Sequence, residues 1–140
     1  NSRMSEVDAA ILDVKLKYLD EDNDKRRKLA SYYYDNINNP LITLPNRLAD
    51  ENNVYHQFPI LCERRDELQQ HLAENGIQTL IHYPIPPHYQ ECYEKETWNT
   101  PRLMLPVSEK IHQQELSIPM SQVVSMEEAK IVVDVLNAFR

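Results

Sequence analysis

Along the first twenty residues the apolar positions recur at steps of three and four. Val7, Ile11, Val14 and Tyr18 make one stripe, and Leu12, Leu16 and Leu19 make a second beside it. That period is helical, and a double stripe is wider than a single packing partner covers, so the helix is expected to meet more than one neighbour. Ser5 followed by Asp8 gives it a weak capping-box start. The polar run from Asp20 to Lys28 either separates this helix from a second one or carries it onward, with Leu29, Tyr33 and Ile37 on one face. Asn36 to Pro40 ends the helical pattern through asparagine-rich turn chemistry and then proline. The period then changes. Leu41 to Leu44 is a short strand candidate, and Val54 to Leu61, rich in aromatic and β-branched residues, is a stronger one. Within it Pro59 lacks a ladder donor and must lie at an edge or turn its nitrogen away from the partner strand.

RDELQQHLAENG, from Arg65 to Gly76, predicts a helix with acidic residues in its first turn, Leu68 and Leu72 one turn apart, and Gly76 in the left-handed position after the last turn. Ile77, Thr79 and Ile81 then alternate with Gln78 and Leu80 as a strand, so that strand, helix and strand form a split unit with a helix over one face of a small sheet. Farther on, Tyr89 to Tyr93 reads as a turn of helix and Thr97 to Arg102 as irregular. Pro106 opens a helix that runs to about Gln114. Leu116 to Met120 is extended. Ser125 to Glu128 is a capping box, and Ala129, Val132, Val133, Leu136 and Phe139 form the apolar face of a closing helix. The fold class is α+β: a long N-terminal helix plus a small, mainly antiparallel sheet covered by helices on one side. At 140 residues one domain, 1–140, and one core are expected.

Charge narrows the function classes. A net charge of -7 and a pI near 5.2 argue against a nucleic-acid or anionic-membrane surface, because phosphates would be repelled. The one basic cluster, KRRK at 25–28, lies beside Asp20, Asp22 and Asp24 and reads as a solvated helix face. No apolar run approaches the roughly 18 residues of a membrane span, and the first residues lack the build of a secretory signal, so a cytoplasmic protein is expected. Cys62 and Cys92 cannot make a scaffold of several bridges. Gly76 is the sole glycine, which excludes the phosphate-cradling loops of dinucleotide and P-loop sites. The sequence opens on Asn1 and enters a helical pattern within a few residues, as a piece of a longer chain would.

The candidate chemistry is concentrated in TLIHYPIPPHYQ, Thr79 to Gln90. His82, Tyr83, His88 and Tyr89 offer proton exchange and hydroxyl-tipped apolar faces, and Pro84, Pro86 and Pro87 stiffen the backbone that carries them. These four rings suit a polyhydroxylated ligand; they equally suit a stiff crossover packed on its own domain. His82, His88 and Cys92 match no closed zinc spacing. Cys62 reads as a small core residue, and neither cysteine stands in an activating constellation. Asn1 and Arg3, immediately ahead of an apolar helix, are donors able to grip a phosphate or carboxylate, or else a cap and a surface ion pair.

Taken together, NSRM, the AAIL helix, KLKYLDEDNDKRRKLASYY, VYHQFPI, RRDELQQHLAENGIQTLIHYPIPPHYQ and LSIPM, in this order, resemble the C-terminal part of the DegT/DnrJ/StrS type of sugar-nucleotide aminotransferases. These are pyridoxal-phosphate enzymes of the aspartate-aminotransferase fold, more than twice this length, whose active sites lie between two subunits. The resemblance implies that the chain is the small C-terminal domain with its preceding interface helix, and that the cofactor is pyridoxal 5'-phosphate in a homodimeric parent. It matches Asn1 to the asparagine that reaches the cofactor phosphate of the neighbouring subunit. Arg3 falls in the same interface segment, and His82 and Tyr83 fall at loop positions that contact the sugar nucleotide. HYPIPP looks most like members that aminate the 3-keto position of dTDP-linked 6-deoxyhexoses, with glutamate as donor, for amino-sugar and cell-wall or lipopolysaccharide biosynthesis. His56 takes no catalytic role. The Schiff-base lysine of that family lies upstream of Asn1 and no lysine here stands in a matching motif, so this stretch alone is expected to be inactive and its bared apolar helix to self-associate. The alternative is a non-catalytic small-molecule-binding or interaction module that keeps the fold.

Overall fold

Helix begins where the sequence places a cap. In the computed structural model, which describes residues 3–48, 53–93 and 103–140, α1 spans Glu6–Leu16 and Ser5 is its N-cap. The Ser5 Oγ accepts from the Asp8 amide at 3.1 Å and donates to the Asp8 carboxylate at 2.7 Å, so Asp8 takes the serine hydroxyl where a full box would take the serine amide. The chain breaks step at Lys17 and Tyr18, then resumes as α2, Leu19–Asn36. The N-terminal helical region is therefore two helices, and the polar run from Asp20 to Lys28 lies inside the second. Arg26 donates to Gln122 Oε1 at 2.7 Å and Arg27 to the Asn53 carbonyl at 3.2 Å, which fastens part of the basic cluster to the domain instead of leaving it wholly solvated.

The two halves of this region differ sharply in burial. Leu29, Ala30 and Tyr33 of α2 are in the core, whereas α1 buries no residue. Val7, Ile11, Val14 and Leu16 are each more than half exposed, so among the described residues nothing covers the double stripe.

The sheet is smaller than the alternation suggests. β1, Phe58–Leu61, pairs antiparallel with β2, Glu115–Ile118, setting Phe58 opposite Ile118 and Leu61 opposite Glu115. Single bridges extend it on both sides, Thr43 to Leu61 and Leu80 to Ser117. Pro59 opposes Ser117, whose amide and carbonyl both turn to Leu80, at 2.8 and 3.1 Å; the proline nitrogen faces away from β2, as its missing donor requires.

Local hydrogen bonds shorten the other strand candidates. Leu41 and Ile42 spend their amides on Asn39, leaving only Thr43 to bridge. The Asn53 side chain captures the Tyr55 amide at 2.9 Å and Tyr55 takes φ of 46°, so extended pairing starts only at Phe58. Ile77 is held by α3, Arg65–Glu74, through a Schellman motif: its amide reaches Leu72 O at 2.9 Å and that of Gly76 reaches Ala73 O at 3.0 Å, with Gly76 at φ 76°.

α4, Pro106–Gln114, starts on its proline, and α5, Met126–Ala138, carries the full reciprocal capping box between Ser125 and Glu128. Residues 97–102 lie outside the described part. α2 and α3 both pack on α5, α3 also on β2, and α4 on β1. The core gathers Tyr33, Phe58, Ile60, Leu68, Leu72, Leu116 and Leu136, and the closing-helix face expected from Ala129 to Phe139 is buried throughout. Phe58 meets the edges of Tyr33 and Tyr34 with centroids 5.3 and 5.0 Å away. Tyr33 donates to Pro119 O at 2.8 Å, and burial pushes its phenol well above the ordinary range.

Candidate functional site

The proline segment leaves the sheet at the point where a ladder becomes a side-chain network. Continuing the Leu80–Ser117 register by two residues sets His82 against Glu115. There the His82 amide donates to Glu115 Oε2 at 2.7 Å, a carboxylate in place of a backbone carbonyl. Ser117 Oγ donates to Glu115 Oε1 at 2.6 Å and lies 3.0 Å from His82 Nδ1. Glu115 and Ser117 are both buried in β2. A triangle of three polar groups thereby fixes both the backbone and the ring of His82.

Tyr83 is anchored through its backbone carbonyl. It is 67 % exposed, its ring stands edge-on to that of His82 at 5.7 Å, and its carbonyl accepts a short hydrogen bond from His112 Nδ1 of α4. The second His–Tyr pair anchors the far end of the segment. Pro87–Tyr89 forms a single 3-10 turn on buried Pro86, and a second follows at Glu91–Tyr93. His88 Nε2 lies 3.2 Å from Glu109 Oε1, with its side chain nearly buried, and the Tyr89 hydroxyl also bonds Glu109. Glu109 further accepts the Leu105 amide at 2.9 Å. That amide, then the Tyr89 hydroxyl and then His88 hold the Glu109 carboxyl below the usual carboxylate range.

The rings therefore divide their work. His88 and Tyr89 are tied to Glu109 as struts of a stiff crossover, while His82 is fixed by Glu115 and Ser117 beside the exposed ring of Tyr83. His82 and His88 face different partners, and among the described residues no group of three His, Cys, Asp or Glu is placed to hold a metal ion. Two shallow clefts lie elsewhere, one along Asp24, Lys28 and Asp35 of α2 and one by Thr43, Cys62 and Lys110; neither is lined by the proline segment. Cys62 is buried, and that burial raises its thiol above the ordinary range, as befits a core residue.

Arg3 lies exposed just ahead of α1, and Asn1 lies outside the described residues. Every described lysine is exposed, so none occupies the desolvated setting that activates an amine as a nucleophile. The described residues do not by themselves form a cradle for pyridoxal phosphate. Glu115, Ser117, Glu109 and His112 are the residues that sequence reading left unremarked. A glutamate heading a stretch otherwise apolar enough to be buried, ELSI, was the available signal for the first.

The profile of the DegT/DnrJ/EryC1/StrS aminotransferase family matches residues 1–137. The dTDP-3-amino-3,6-dideoxy-alpha-D-galactopyranose transaminase of Aneurinibacillus thermoaerophilus is 47% identical over 139 residues, which is 99% of this chain and 37% of that protein. Among solved structures, DesV of Streptomyces venezuelae superposes with a TM-score of 0.88 at 38% identity, over 98% of this chain and 37% of DesV. The protein ntda of Bacillus subtilis, solved with its cofactor PMP bound, superposes with a TM-score of 0.76 at 34% identity, over 86% of this chain and 28% of its own. The chain thus spans 28% to 37% of the length of these relatives.

Proposed function

Because the chain belongs to the DegT/DnrJ/EryC1/StrS aminotransferase family, we propose that it is the substrate-recognising small domain of an enzyme that transfers an amino group, with glutamate as donor, to a keto sugar nucleotide. The substrate we favour is a dTDP-3-keto-6-deoxyhexose, and the product serves amino-sugar and cell-envelope polysaccharide biosynthesis. Aminotransferases of this family depend on pyridoxal phosphate. When bound, that cofactor supplies the electron sink for moving the amino group. This chain's own share is binding and orientation. His82 and Tyr83 would engage the sugar, Tyr83 through an exposed phenol and His82 through a ring already immobilised, which lowers the ordering cost of binding. Asn1 would donate to the cofactor phosphate across the interface of a homodimer, with Arg3 in the same segment and the apolar face of α1 as part of that interface. No helix among the described residues is long and apolar enough to cross a membrane, which is compatible with the cytoplasmic setting we propose.

One observation carries this reading: two hydrogen-bonding rings stand side by side at the surface on a fastened scaffold, in a chain 47% identical along its length to a dTDP-sugar transaminase. The test uses the complete protein that carries this chain. Supplied with pyridoxal phosphate, glutamate and a dTDP-3-keto-6-deoxyhexose, it should yield the amino sugar nucleotide. His82→Ala with Tyr83→Ala should lower kcat/KM for the sugar by about a hundredfold, the value of two hydrogen bonds of roughly 1.4 kcal/mol each, and leave the glutamate half-reaction intact. A sugar reaction indifferent to both replacements refutes it. Binding of the sugar nucleotide with no amino transfer would favour the alternative, a non-catalytic module.

A further inference from the structure

A count of hydrogens around His82 decides which ring nitrogen faces a ligand. A carboxylate only accepts, and Glu115 receives two donors: the His82 amide on Oε2 at 2.7 Å and the Ser117 hydroxyl on Oε1 at 2.6 Å. A serine hydroxyl has one proton, and this one is committed to Glu115. Toward His82 Nδ1, 3.0 Å away, Ser117 Oγ therefore offers only lone pairs, so Nδ1 must carry the hydrogen. In a neutral imidazole that leaves Nε2 bare, and among the described residues it has no hydrogen-bond partner. Glu115 and Ser117 are 5 % and 7 % exposed, so water does not readily offer either group an alternative.

We infer that Glu115 and Ser117 are positioning residues that hold His82 as its Nδ1–H tautomer, so that Nε2 meets the ligand as a hydrogen-bond acceptor and selects a sugar hydroxyl over a carbonyl or anionic oxygen. The identity of the ligand rests on the function proposed above; the tautomer does not, and the two are tested separately. Fixing an imidazole through the partner of its other nitrogen is the general way proteins choose the role of the exposed one. Here the choice passes through a serine, and the direction of that hydroxyl is what sets it.

The chain labelled with 15N-histidine is observed by NMR at about pH 8, above the ordinary imidazole range, and His82 is assigned by the signals lost in His82→Gln. The expected spectrum has a protonated Nδ1 and an unprotonated Nε2. Glu115→Gln should invert it. The amide oxygen must stay on the His82 N–H, because the amide nitrogen there would oppose two donors; the nitrogen then donates to Ser117, whose proton turns to Nδ1 and drives the hydrogen to Nε2. Ser117→Ala should remove the preference and give a mixture. A wild-type His82 in the Nε2–H form, or an unchanged tautomer in Glu115→Gln, overturns the inference; if that variant does not fold, the wild-type spectrum and Ser117→Ala decide. In the complete enzyme, Glu115→Gln should raise KM for the sugar nucleotide on the order of tenfold, one neutral hydrogen bond, with KM for glutamate unchanged. A confirmed tautomer with an unchanged sugar KM overturns the hydroxyl ligand and leaves the relay standing.

Discussion

Asn39 closes the domain at the end of its last helix, and its replacement tests how the fold is held together. The residue is 6 % exposed and its side-chain amide makes three bonds: Nδ2 donates to the carbonyls of Leu136 and Phe139, both at 2.8 Å, and Oδ1 accepts the Leu41 amide at 2.9 Å. These bonds tie the C-terminus of α5 to the turn that follows α2. Asn39→Ala removes all three, and at about 1 kcal/mol net for each the cost is about 3 kcal/mol. Asn39→Asp is nearly isosteric yet should be worse at neutral pH, because it keeps the Leu41 bond but turns a carboxylate toward two carbonyls at the negative end of a helix. That environment favours the protonated acid, so the folded-state pKa of the introduced carboxyl lies above its unfolded value near 3.9. The contribution of this carboxyl is then most favourable below about pH 4, where the acid is neutral in both states, and falls as pH rises through the folded value. Urea unfolding of the wild type and both variants at pH 4 and pH 7 measures this. The deficit of Asn39→Asp relative to wild type should grow from the lower pH to the higher, while that of Asn39→Ala stays constant. A loss below about 1 kcal/mol for Asn39→Ala, or a pH-independent deficit for Asn39→Asp, would refute the assigned hydrogen bonds.

Three further expectations concern other parts of the chain. With Val7, Ile11 and Leu16 exposed on α1, the 140-residue chain should self-associate in sedimentation velocity, and Ile11→Glu with Val7→Glu should return it to monomer; a clean wild-type monomer with α1 intact contradicts this. Glu128 has its carboxyl held below the usual range by the Ser125 amide and then the Ser125 hydroxyl, so the stability it adds is present above the unfolded carboxylate range and lost as pH falls through the folded value. Glu128→Gln should flatten that limb of the pH–stability curve, and Ser125→Ala should cost about 1 kcal/mol by denaturant midpoint. Gly76→Ala meets no atom within 4 Å, so its cost of about 1 kcal/mol should come from the φ of 76° alone, and Gly76→Asn should recover part of it.

The parts of this protein that its sequence determined are those written within a turn or two of the chain. The Ser5 and Ser125 caps, the Asn75-Gly76 stop, the proline start of α4 and the buried face from Ala129 to Phe139 all involve groups a few residues apart, and local period and cap chemistry suffice for them. Pro59 was legible too, because a missing N–H constrains the register wherever the partner strand lies. The tertiary structure decided what depends on distant partners. Whether an alternating run becomes a strand depends on a neighbour offering free amides, and Asn39, Asn53 and Leu72 had already claimed those of residues 41, 42, 55 and 77. The four rings of the proline segment looked alike in sequence; only their partners, 20 to 35 residues away on α4 and β2, made His88 a strut and left His82 with an open nitrogen. A buried polar network has no period to read, because its geometry exists only after the elements that carry it have packed.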